Sequence, residues 1–98
     1  MNGLSRRLLM GLYMLHLQHG REKAFSRRHL MAVYAGCWNQ TYQQAMMALI
    51  GDGLVLEYMR ASENKLYSRL TDEGYKLAVS FAALPVSAVC ELSLAWKV

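Results

Sequence analysis

The chain has 98 residues, 54% of them apolar and 18% charged, with a net charge of +4. That is one domain's length, and a chain of this size buries roughly 60–68% of its unfolded surface, enough for one modest core. Cys37 and Cys90 lie far apart with no partner spacing, which excludes a disulfide framework and predicts free thiols in a reducing, cytoplasmic setting.

No run reaches the ~18 apolar residues of a membrane span, so no membrane association is expected. The apolar surplus predicts an additional covered surface, most simply a homodimer interface. Charge is uneven. Arg6, Arg7, Arg21, Lys23, Arg27 and Arg28 face Glu22 alone in residues 1–50, whereas residues 51–98 hold five bases against six acids. A one-sided basic field suits a polyanion.

Ser5-Arg6-Arg7-Leu8-Leu9-Met10 looks like the basic entry to an export signal. The run breaks at His16, however, no small-x-small site follows, and Arg21-Glu22-Lys23 comes next. Leu4, Leu8, Leu12 and Leu15 instead recur at helical spacing and predict a first helix over residues 4–19. Ser5 is its expected N-cap, His16 and His19 fall in its last turn, and Gly20 stops it. Lys23-Ala24-Phe25 reads as a short extended link.

Ser26 is the expected cap of a second helix to Ala35, followed by a Gly36-Cys37-Trp38 turn. Asn39 then caps a third helix to Ile50. Its residues Tyr42, Ala45, Met46 and Leu49 fall at i, i+3, i+4 and i+7 and face inward. The opposite face is Gln40, Thr41, Gln43, Gln44, Met47 and Ala48, polar in part but without charge. Solvated helices more often use Glu and Lys there, whereas amides and hydroxyls can pair with base edges.

Leu49-Ile50-Gly51-Asp52-Gly53-Leu54-Val55 reads as a helix end, a glycine stop and a strand start. Residues 54–60 and 65–70 are strand-like and joined by Ala61-Ser62-Glu63-Asn64, a β-hairpin. Thr71 or Asp72 caps a fourth helix, which runs to about Leu84 before Pro85. Residues 86–98 alternate as a strand would, yet Val89, Leu92 and Trp96 also line one helical face. Either form suits dimerisation or core closure, so a domain over residues 1–84 and a C-terminal apolar segment over residues 85–98 are expected.

Phe25-Ser26-Arg27-Arg28-His29-Leu30, Gly53-Leu54-Val55 and Leu70-Thr71-Asp72-Glu73-Gly74, in this order and at these separations, resemble the winged helix-turn-helix family of bacterial and phage DNA-binding proteins, most like its MarR- and PadR-type modules. The resemblance covers about Leu4 to Leu84. It implies an α+β, mainly α fold: a three-helix helix-turn-helix core, a two-stranded wing and a fourth helix. It implies a DNA-binding transcriptional regulator with the third helix in the major groove and the wing on the backbone. Two departures stand out: the matching reading helix has no Arg or Lys, and the short wing tip contains Glu63.

Carried onto this chain, the resemblance makes Asn39, Gln40, Thr41, Gln43 and Gln44 the candidate base readers. Gln can bond adenine N6 and N7 together, and Thr can touch a base or the thymine methyl. Arg27 and Arg28 open the second helix, where phosphate is favoured, and Arg60 and Lys65 flank the hairpin tip. Arg6 and Arg7 are further candidate phosphate contacts. Double-stranded DNA is the expected partner of a homodimer.

The alternative is an adaptor module, of a phage or plasmid, that grips a host protein. The uncharged third helix and the apolar tail favour it. Paired acids, a Ser-His-Asp set and a glycine-rich phosphate loop are all lacking, so no catalysis and no cofactor are expected. His16, His19, His29 and Cys37 offer only a weak lead toward a metal, because nothing fixes all four together.

Overall fold

The computed structural model describes residues 1–34 and 38–83. Among these residues, four helices and a three-stranded antiparallel sheet make up an α+β, mainly helical fold, in the order α1 (Gly3–His19), β1 (Phe25–Ser26), α2 (Arg27–Tyr34), α3 (Gln40–Gly51), β2 (Val55–Arg60), β3 (Lys65–Leu70) and α4 (Asp72–Ala82). No helix among the described residues is long and apolar enough to cross a membrane. The expected turn at 35–37 and the expected C-terminal segment over residues 85–98, read as strand or helix and as serving dimerisation or core closure, lie outside the described residues.

Two starting points differ from those expected. Asn2, not Ser5, caps α1: its Oδ1 accepts from the Ser5 N–H at 2.7 Å, and Ser5 itself is buried in the first turn. Phe25-Ser26 is not merely a link but a third strand, in register with Ser68 and Tyr67 of β3. The sheet order is β1-β3-β2, with β2 and β3 paired from Val55↔Leu70 to Arg60↔Lys65.

The core gathers the apolar face of α1 (Leu8, Leu9, Leu12, Leu15) with Leu30, Met31, Ala45, Met46, Leu49, Val55, Leu70 and Ala78. Truncating one of the fully buried leucines would cost about 2–5 kcal/mol. β1 is too short to reach Leu70, and side chains complete the pairing instead. His16 Nε2 accepts from the Leu70 N–H at 3.1 Å, while Arg21 Nη1 donates to the Leu70 carbonyl at 3.0 Å. Arg21 also pairs with Asp72 at 3.0 Å and lies over the Tyr75 ring.

With Nε2 accepting, the His16 proton sits on Nδ1 and is donated to the Gly20 carbonyl at 3.0 Å. Burial holds the imidazole below its ordinary value of 6.5, and Arg21 and Arg69 push the same way, against the Gly20 carbonyl and Glu22.

The helix end and hairpin neck are laced by main-chain groups. Leu54 N–H bonds the Leu49 carbonyl and Gly53 N–H the Ile50 carbonyl, both at 3.0 Å, a Schellman stop. Gly53 takes the left-handed φ of 74° that this stop requires. Thr71 N–H then donates to the Leu54 carbonyl at 3.1 Å. Its hydroxyl donates to the Gly53 carbonyl at 2.6 Å and accepts from the Gly74 N–H at 3.0 Å, capping α4. A Cβ at Gly74 would overlap the Leu54 carbonyl oxygen and lie 2.9 Å from its carbon.

Gly74→Ala therefore costs about 3 kcal/mol, the upper end for overpacking, because the obstacle is main chain rather than a movable side chain. Calorimetry should show a fall in thermal midpoint on the order of 10–20 °C. The control Gly51→Ala, where nothing lies within 4 Å of the added carbon, stays within about 1 kcal/mol of wild type.

His16 predicts an acid-side loss of stability. A histidine held below its unfolded value binds more protons when unfolded, so its contribution is complete above about pH 6.5 and is lost as pH falls toward the folded-state pKa. Thermal melts at about pH 7.5 and pH 5.5 should show a drop for wild type and a smaller drop for His16→Gln.

Candidate nucleic-acid interface

α3 is anchored at its start by Asn39, whose Oδ1 accepts from the Tyr42 N–H at 3.0 Å in an extended cap conformation. Ala45, Met46 and Leu49 bury its inner face. Gln40, Thr41, Gln44, Met47 and Ala48 are exposed, Met47 at 54%.

Gln43 is different. It is half-buried, and its Oε1 accepts from the Trp38 indole N–H at 2.9 Å. Trp38 stacks on Tyr42 with centroids 5.8 Å apart. The Arg27 guanidinium covers the Trp38 ring at 4.8 Å and reaches Glu57 Oε2 at 3.6 Å. Glu57 also accepts from the Ser68 hydroxyl at 3.3 Å. One run of contacts thus joins α3, the start of α2 and both hairpin strands.

Ser26 Oγ accepts from the His29 N–H at 3.3 Å and caps α2, leaving Arg28 exposed in its first turn. Arg28 shares a groove of about 540 Å³ with Arg27, Ser26, Met59, Asn64 and Lys65. Neither Arg28 nor Lys65 makes an ion pair among the described residues.

The hairpin tip closes on Arg60, whose carbonyl accepts from the N–H groups of Glu63 at 3.1 Å and Asn64 at 2.8 Å. Asn64 takes a left-handed φ of 52°, which Asn tolerates better than most residues. Arg60 lies 4.0 Å over the Tyr67 ring and 3.7 Å from Glu63. The Tyr67 hydroxyl donates to Glu63, and that bond raises the Tyr67 pKa above its usual phenol value.

The candidate cations differ in what engages them. Arg27, Arg28 and Lys65 line one groove. Arg27 and Arg60 are engaged with acids and rings, Arg6 covers the Phe81 ring at 4.6 Å between α1 and α4, and Arg7 is half-buried on α1. His16 has both ring nitrogens committed within the fold, which removes it as a metal ligand.

Trp38 packs against the core, as an aromatic residue there is expected to; sequence reasoning missed its bond to Gln43 and the Arg27 guanidinium over its ring. A Trp just before the N-cap, with an amide five residues on, is a local signal for the Trp38–Gln43 bond. The Arg27 and Glu57 contacts have no such local signal. Comparison of the chain with protein-family models, with curated proteins and with solved structures gives no match.

Proposed function

We propose that this chain is a winged-helix, sequence-specific DNA-binding regulator, working in the cytoplasm as a homodimer. α3 is its reading helix and the β2–β3 hairpin its wing. The observation that carries this reading is the exposed, uncharged Gln40-Thr41-Gln44 face of α3, in a domain whose α2 and hairpin also form a groove holding Arg28 and Lys65. Amides and hydroxyls without charge suit base edges, and cations to one side suit phosphates.

Support also comes from the helix, strand, helix, helix, hairpin order and from the strand order β1-β3-β2. In a dimer, two copies of α3 meet half-sites about one helical turn apart. Exposed Met14 and Leu17 of α1 and Val79 of α4 supply apolar surface for a second copy. Sedimentation at micromolar concentration should give twice the chain mass; a monomer mass removes the dimer from the proposal.

A second reading, a protein-binding adaptor, is favoured by the hairpin, where Leu56, Tyr58 and Met59 are 44%, 39% and 57% exposed. That is more apolar surface than phosphate contact needs.

Anisotropy titrations over a salt series separate the two. Arg28→Ala and Lys65→Ala should each weaken binding to every duplex alike and flatten the salt slope by about one. Unchanged slopes in both variants would show that this groove does not contact DNA. Absence of any duplex binding at low salt, with one stoichiometric protein recovered by pull-down, would support the adaptor instead.

A further inference from the structure

We infer that α3 selects A·T base pairs, with Gln40 and Gln44 reading two adenines and Thr41, Met47 and Ala48 lying against thymine methyls. This rests on the DNA-binding reading above and adds its base preference.

The exposed side chains of α3 fall at i, i+1, i+4, i+7 and i+8, a single helical stripe. Each base pair asks for a different chemistry in the major groove. Guanine shows two acceptors, N7 and O6, and is matched by the paired donors of Arg or Lys. Cytosine shows an amino donor and is matched by a carboxylate. α3 carries no Arg, Lys, Asp or Glu, so its stripe has neither of these principal G·C partners.

Adenine shows an acceptor beside a donor, N7 and N6, which is the complement of a carboxamide. Thymine adds a methyl group that only an apolar surface matches. The stripe has both: carboxamides at Gln40 and Gln44, and apolar atoms at Thr41, Met47 and Ala48.

The structure also fixes which carboxamides are presented. Gln43 Oε1 is taken by the Trp38 indole, and the side chain is half-buried. Gln40 and Gln44 remain, one turn apart and roughly 6 Å along the helix axis. With that axis along the groove, this matches about two steps of ~3.4 Å. The two adenines should therefore be separated by one base pair. The positive charge at Arg28 and Lys65 lies off α3, where it serves the phosphates and leaves the base preference to the stripe.

The experiment is selection of the full-length protein against randomised duplexes at fixed low salt, followed by anisotropy on the best duplex carrying single modified bases. The expected core is A·T, with two adenines one pair apart. Placing 7-deazaadenine at either adenine, or uracil for a core thymine, should weaken binding, the former roughly tenfold. Gln44→Arg, confirmed as folded by circular dichroism, should move the preference at one position from adenine to guanine.

A selected core of G·C pairs, or equal retention of all duplexes, overturns A·T selection and leaves DNA binding standing. Insensitivity to both modified bases overturns the assigned contacts in the same way. Retention of no duplex overturns this inference together with the reading it rests on. The modified bases leave the protein untouched, so misfolding cannot produce their result.

Discussion

The close approach of Gly74 to the Leu54 carbonyl is the constraint on which the rest of the architecture depends. At that point the exit of α3, the root of both hairpin strands and the entry to α4 share main-chain atoms. Gly53 turns the chain, Leu54 returns a bond to Leu49, and the Leu54 carbonyl takes the Thr71 N–H. Thr71 ties the same neck to the first turn of α4 through its hydroxyl. Only a residue without Cβ fits at 74, so helix and hairpin are held by contact between backbones rather than by adaptable side chains.

From this neck the other elements take their places around α1. Its leucines meet α3 and the sheet, and its last turn delivers His16 to Leu70. An imidazole suits this position because, when neutral, it donates at one nitrogen and accepts at the other. It therefore satisfies the Gly20 carbonyl and the Leu70 N–H together, as neither Lys nor Arg could. Arg21 completes the junction by serving the Leu70 carbonyl and Asp72 with one guanidinium.

Most of the element order was legible in the sequence, because its signals are local. Asn39 and Thr71 cap their helices through bonds three residues on, and Ala45, Met46 and Leu49 face the core at helical spacing. β1 was not legible: two residues carry no periodicity, and only their pairing with Ser68 and Tyr67 makes them a strand. Ser5 looked like a cap because Ser is a good capping residue; Asn2 takes the role because its side chain reaches back to the Ser5 N–H from an extended backbone. The candidate site was legible in part. The stripe of α3 follows from its spacing, whereas the pairing of Arg27 and Arg60 with acids, which Arg28 and Lys65 lack among the described residues, depends on Glu57 and Glu63. Glu57 lies thirty residues beyond Arg27, and no local pattern announces that partnership.

β1 also bears on how the chain behaves when crowded with copies of itself. A long strand at the margin of a sheet offers a row of unused N–H and carbonyl groups to any passing extended chain, the usual seed of aggregation. Here that margin ends after two residues, and the next main-chain groups of β3, at Leu70, are already taken by an imidazole and a guanidinium. A foreign strand seeking to add there would have to displace two side chains wedged against the body of the domain. On this side of the sheet the shortness of β1 thereby removes a template for self-association that a longer strand would have left open; the other margin is β2.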